Sequence, residues 1–137
     1  MGQTRYKKTK KLYIKGEYHT QISGEEAVVV EWAGGIAYSR DSEKLPLKVY
    51  ELITDPACCE YRMVVFDIQA VSFIDDICRE ELTSALIELK RHNFVPILVN
   101  RKRVYNKLGE EIKTHGVAVI KGDQFVGMLS SQPVATD

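Results

Sequence analysis

The chain has 137 residues, of which 45% are hydrophobic and 28% are charged, so it is long enough to bury a core without disulfides or a metal. Its 19 basic and 19 acidic side chains give a formal net charge of +0, which excludes a whole-chain attraction to nucleic acid or to an anionic membrane. No apolar run approaches the roughly 18 residues of a transmembrane helix, so no membrane insertion is expected. The three cysteines, Cys58, Cys59 and Cys78, lack the pattern of a secreted disulfide framework, which predicts reduced thiols and a cytoplasmic location.

A basic terminus and a β-hairpin are predicted in the first quarter of the chain. Residues 1–11 are rich in Lys and Arg and are interpreted as a solvated tail. Leu12–Ile22 is rich in Tyr and β-branched residues, and Ala27–Ala33 is nearly all apolar, so both are predicted strands. The turn signal between them, which begins at Ser23-Gly24, favours an antiparallel hairpin.

A helix is predicted next, with Asp41 or Ser42 as its N-cap and Asp55-Pro56 as its end. Pro46 suits the first turns of such a helix because its ring already has a helical φ. The spacing of the apolar residues predicts one buried face, made of Leu45, Leu47, Val49, Leu52 and Ile53.

The middle of the chain predicts a central strand followed by a long helix. Tyr61–Ile68 contains a continuous apolar run, which is typical of a strand covered on both faces. Ile77–His92 separates apolar from charged residues at helical spacing, and Asp75 or Asp76 is placed to cap it. The predicted apolar face of this helix consists of Ile77, Cys78, Leu82, Ala85, Leu86 and Leu89.

Two further strands are predicted toward the end of the chain. Val95–Val99 and Val117–Ile120 are short apolar strands. Between them, the spacing of Val104, Leu108 and Ile112 indicates a helix that closes near His115-Gly116. For Phe125–Leu129 the pattern leaves a short helix and a returning strand open, and residues 131–137 are interpreted as a loose tail.

Alternation of strands and helices after a hairpin predicts an α/β fold in one domain, residues 12–130. Strands joined through helices pair in parallel, whereas the hairpin adds one antiparallel strand. The expected sheet is therefore mixed, mainly parallel, and four- to five-stranded.

One segment of the chain resembles a known family. The run from Met63 to Asp75, which ends in Val71-Ser72-Phe73-Ile74-Asp75, is similar to the strand and loop before a helix in STAS domains, the fold of anti-sigma-factor antagonists. The segments VPILVN and HGVAVI resemble the later units of that family. The resemblance implies a STAS-like fold and a non-enzymatic bacterial regulatory protein that controls a protein partner by reversible docking.

The resemblance also implies a site at the start of the long helix. In sigma-regulating members, a partner kinase phosphorylates a hydroxyl residue at a position that Ile77 occupies here, so that modification is not possible at this position. The candidate partner-binding residues are Asp75, Asp76, Arg79 and Glu80. The implied partner is an anti-sigma factor, a stress-signalling protein or a transporter component, and a homodimer stays open. No cofactor, metal or nucleic acid is expected.

Two alternatives of other classes compete with this interpretation. Asp67, Asp75 and Asp76 could form a Mg²⁺ site in a small enzyme or, with Lys121, in a phospho-receiver-like domain, since Mg²⁺ prefers oxygen ligands. The basic segment Arg101–Arg103, with Tyr105 and the N-terminal lysines, could instead form a nucleic-acid surface.

Overall fold

The structure is a computed structural model that describes residues 11–34, 43–55, 61–72, 74–100 and 106–130. Several predictions fall outside these ranges and stay predictions: the tails 1–10 and 131–137, the caps Asp41 and Ser42, the pair Cys58-Cys59, and Phe73, Arg101–Arg103, Val104 and Tyr105.

Five strands and four helices make up the described part of the chain. The strands are β1 (Tyr13–Ile22), β2 (Glu25–Gly34), β3 (Met63–Val71), β4 (Val95–Asn100) and β5 (Ala118–Lys121). The helices are α1 (Lys44–Thr54), α2 (Asp76–Arg91), α3 (Asn106–Lys113) and α4 (Gly122–Ser130). A single α/β domain with a mixed sheet was predicted, and this part of the prediction is confirmed.

The strands lie in the sheet in the order in which they occur in the chain, β1-β2-β3-β4-β5. Only β1 and β2 are antiparallel, and the turn between them has positive φ at Ser23 (51°) and at Gly24 (87°). Two positive φ angles in a two-residue loop define the type I′ turn, whose twist matches that of a hairpin. The predicted hairpin is therefore confirmed, and its turn is Ser23-Gly24.

The predicted central strand, β3, lies in the middle of the sheet with parallel neighbours on both sides. Val64, Val65 and Phe66 are fully buried there, as expected for a strand covered on both faces. Pro96 is the second residue of β4, where it pairs with Val64, and β5 joins β4 only from Ile97 onward. The missing N–H of Pro96 therefore interrupts no pairing with β5.

Helices α1, α2 and α3 pack on one face of the sheet and bury the larger core. Trp32 on β2 lies in this core, and its ring meets that of Phe66 edge-on at a centroid distance of 5.5 Å. Leu82, Leu86 and Leu89 contribute the buried stripe of α2. The strands follow one another across the sheet in chain order, and each parallel crossover has the same right-handed sense. The three crossover helices therefore lie on the same face of the sheet.

Helix α4 alone covers the opposite face in the described part of the chain. Phe125, which is 3% exposed, packs there with Val29, Val65 and Ile97. Of the two structures that the sequence leaves open for Phe125–Leu129, the helix is the one that forms.

The predicted apolar face of α1 is wrong at one position. Leu47 is 63% exposed, whereas the neighbouring Lys48 is only 6% exposed and lies on the buried side with Leu45, Val49 and Leu52. Burial of the Lys48 ammonium is tolerated because it forms ion pairs with Glu17 on β1 at 2.5 Å and with Glu51 at 3.2 Å. An ion pair across two elements thus overrides the hydrophobic pattern.

Candidate docking surface

The start of α2 is fixed by one aspartate. Asp75 is in an extended conformation, with φ −82° and ψ 175°, and its Oδ1 accepts a hydrogen bond from the Cys78 amide at 2.8 Å. The Asp75 carbonyl accepts from the Arg79 amide at 2.9 Å and so begins the helix. Asp75 is therefore the N-cap, one of the two caps that the sequence predicts, and its charge lies at the positive end of the helix.

The side chain of Arg79 connects this helix start to α3. Its Nη2 lies 3.3 Å from Asp76 Oδ1, and its Nε lies 3.5 Å from Glu111 Oε1. The first pair is exposed on the Asp76 side, where the carboxylate side chain is 89% accessible, so it contributes little to stability. The pair with Glu111 matters more for the site, because it places a carboxylate of α3 beside the start of α2.

Ile77 forms the exposed apolar centre of this region. It is 52% exposed one turn ahead of Glu80 and Glu81, at the position where the resemblance places a phosphorylated hydroxyl. Asp76 and Glu80 are exposed on either side of it in sequence. Arg79, two residues after Ile77, points to the opposite side of the helix, toward α3.

The structure thus places the four predicted partner-binding residues at one helix start, with Arg79 on the side of α2 that faces α3. We call Asp75, Asp76, Ile77, Arg79 and Glu80 the α2-start surface. Glu111 belongs beside it and was missed from sequence, because no local pattern shows which face of a separate helix meets Arg79. Ile77 was assigned to the apolar helix face, and only its exposure shows that it is available for binding.

The alternative magnesium site does not assemble. Asp67 is 9% exposed, and its Oδ1 accepts from the Gln69 amide at 3.0 Å and from Gln69 Nε2 at 3.1 Å, whereas Asp75 caps α2. Within the described ranges, no three His, Cys, Asp or Glu side chains come close enough to hold a metal ion. Asp67 and Asp75 each have a local structural partner instead.

Asp67 belongs to a pair of acidic side chains on the sheet, away from the α2-start surface. Asp67 pairs in register with Glu31 on β2, and Tyr18 on β1 lies opposite Val29, two residues before Glu31. Burial raises the pKa of Tyr18, and the charges of Glu31 and Asp67 raise it further. A Cβ added at Gly122 would overlap the Gln69 side chain, so Asp67 and Gln69 lie on the α4 side of the sheet. This acidic pair was not predicted, and it depends on strand register.

Comparison with known proteins adds no identification. No protein-family model matches the chain, and no curated protein matches it either. The STAS resemblance accordingly stays a prediction. Within the residues that the structure describes, no helix is long and apolar enough to cross a membrane.

Proposed function

We propose that this protein is a non-enzymatic, STAS-like regulatory module that docks to a protein partner in the cytoplasm through the α2-start surface. The observation that carries the proposal is the exposure of Ile77 on a capped helix start, where Asp76 and Glu80 are also exposed and Arg79 occupies the side of α2 that faces α3. Binding residues presented on a rigid sheet and helix can dock without reorganising the backbone, which favours recognition over induced folding.

Phosphorylation at the family position does not control this docking. A phosphate would add about −1.5 to −2 charge at a helix N-terminus, but Ile77 has no hydroxyl to accept it. Binding through a permanent apolar contact depends instead on the concentrations of the two partners. The proposed partner is an anti-sigma-factor-like protein, a stress-signalling protein or a transporter component.

Ile77→Glu tests this proposal. Affinity purification from the native cell with the wild-type chain identifies a partner, and the purified pair is then titrated with wild type, Ile77→Glu and Arg79→Glu. Because a buried charge would replace the central apolar contact, we expect the dissociation constant to rise at least about tenfold for Ile77→Glu. Ile77 is half exposed and caps nothing, so this substitution leaves the fold intact.

Lys15→Glu is the matched control for the charge reversal at Arg79. Lys15 is exposed on the edge strand β1 and gives the same change of two charge units away from the α2-start surface. Its affinity is expected to equal that of wild type. Unchanged binding by Ile77→Glu, or equal losses with Lys15→Glu and Arg79→Glu, would contradict the proposed surface.

A further inference from the structure

A groove of about 430 Å³ runs between α1 and α2, on the side of α2 that faces away from α3. Val49, Tyr50 and Ile53 of α1 and Ala85 of α2 give it an apolar lining. The acidic side chains that border it, Glu81 and Glu88, are on α2 with Ser84, and His92 follows that helix; Thr54 is the polar residue that α1 contributes. One wall is therefore mainly apolar, and the other carries the charge.

The outer side of α1 extends this apolar wall. Leu47 and Tyr50 are 63% and 68% exposed, the two highest values among the large hydrophobic side chains that the structure describes. They are three residues apart and so are neighbours on the helix surface. Two adjacent exposed apolar side chains next to an apolar groove form a continuous patch, which on a soluble protein marks a contact site.

The charge of the groove is unbalanced at one end. Glu81 is half-buried, lines the groove, and forms no ion pair with any described residue; the same is true of the exposed Glu80 beside it. At the other end, Glu88 pairs with Arg91 at 2.8 Å, and its second carboxylate oxygen lies 3.0 Å from His92 Nε2. A half-buried carboxylate without a cation is stabilised by one that a partner supplies.

We propose that this groove binds an amphipathic α-helix of a protein partner, with apolar side chains against Tyr50 and Ile53 and a Lys or Arg facing Glu81. The inference rests on the proposed function, that the protein acts by docking, and it specifies the structural element that is recognised. Ile77, Glu81 and Ser84 fall at i, i+4 and i+7 of α2, so the groove is continuous with the α2-start surface.

The form of the groove favours a helix over an extended peptide. Both walls are helices whose backbone groups are already bonded internally, so neither offers a free strand edge for β-addition. The stretch Pro46–Thr54, which lines the groove, spans about 12 Å at 1.5 Å per residue. This length matches slightly more than two turns of a partner helix whose side-chain ridges pack into the groove between α1 and α2.

Two synthetic peptides test the inference. Both have about 15 residues and the same Leu stripe at i, i+4 and i+7 on an Ala-rich helix, and they differ only in carrying Lys or Glu beside the stripe. We expect the Lys peptide to bind about tenfold more tightly by fluorescence anisotropy. Amide chemical shifts should change in α1 and α2. Tyr50→Asp should weaken both peptides, and Glu81→Lys should remove the preference.

Glu110→Lys is the control for non-specific attraction of a basic peptide. Glu110 on α3 is 79% exposed, and the substitution makes the same charge change away from the groove. It should leave the preference for the Lys peptide nearly intact. No preference between the peptides, equal effects of Glu81→Lys and Glu110→Lys, or shift changes outside α1 and α2 would overturn the inference.

Two further outcomes separate this inference from the proposed function. If Ile77→Glu releases the native partner while the peptides show no preference, the groove inference fails and the docking function stands. If the wild-type chain sediments as a dimer that Tyr50→Asp converts to a monomer, a second copy occupies the groove and the partner helix is ruled out.

Discussion

Asp75 positions the α2-start surface through the hydrogen bond that its carboxylate accepts at the start of the helix. Its carboxylate holds the Cys78 amide at 2.8 Å, and this bond sets where the helix begins and hence where Ile77 and Arg79 point. An alanine cannot accept that bond, so the first turn would lose a partner for its free amides.

Asp75→Ala should therefore reduce the free energy of unfolding by about 1 kcal/mol, whereas Asp75→Ser should retain most of it. Urea denaturation followed by circular dichroism measures both. Asp76→Ala is the control, because Asp76 adds an exposed charge near the helix start and an exposed ion pair with Arg79, and their loss should cost about a few tenths of a kcal/mol. Equal losses at the two aspartates would show that capping by Asp75 is not what stabilises α2.

Lys48 is the residue at which charge determines packing. Burial alone lowers the pKa of its ammonium, but the hydrogen bonds to Glu17 and Glu51 and the charges of these residues outweigh it, so the net pKa is raised. A folded pKa above the unfolded value means that the folded state holds this proton more tightly. The resulting stabilisation is complete below the unfolded pKa and declines as pH rises through the folded pKa.

Lys48→Met should make this contribution visible. The methionine keeps most of the apolar stem but has no charge, and we expect a loss of about 1 to 2 kcal/mol at neutral pH. Because the ammonium of wild type deprotonates only at high pH, the difference in unfolding free energy should stay constant from about pH 7 to 9 and shrink above about pH 10.5. A difference that is unchanged at about pH 11 would exclude the ion pair as its source.

Among the helices, α4 is the one that buries the second face of the sheet in the described part of the chain. Phe125 is the buried side chain of α4, and its ring fills the space above Val65 and Ile97. Phe125→Ala should cost about 3 to 5 kcal/mol, because it removes buried apolar area and leaves a cavity. Differential scanning calorimetry should record a correspondingly lower Tm.

Val126→Ala, at the next position of α4, is the control for helix propensity. Val126 is 60% exposed, so its truncation should change stability by no more than about 0.5 kcal/mol. Similar effects at Phe125 and Val126 would mean that α4 does not pack on the sheet as described.

The helices also show where sequence patterns succeed and where they fail. In α2 the apolar spacing alone predicts Leu82, Leu86 and Leu89 as buried, since charged residues fill the opposite side. In α1 the same reasoning fails at Leu47, because the acceptor that draws Lys48 inward is Glu17, more than thirty residues away. Periodicity contains no information about such a distant partner.

For the whole molecule, the order of elements and the class of sheet could be predicted from sequence. Continuous apolar runs mark the strands that are covered on both faces, and Ser23-Gly24 marks the hairpin turn. The assignment of α4 could not be made, since a short apolar segment such as Phe125–Leu129 suits either a helix or a strand.

The candidate site also has one feature that could be predicted from sequence and two that could not. The cap at Asp75 is local in sequence and was predicted as one of two residues. The approach of Glu111 to Arg79 and the groove beside Tyr50 depend on how separate helices pack on the sheet. Packing of that kind is decided by the whole core, so neither feature has a local signal.

The position of α4 after all five strands affects how the protein is made. During synthesis on a ribosome, all five strands and the three helices of the first face are translated before the covering helix of the second face. Val29, Val65 and Ile97 would remain bare in the nascent chain through that interval, and transiently exposed apolar strands are prone to aggregate. The domain therefore stays soluble during production only if α4 packs onto the sheet, through Phe125, soon after it is synthesised.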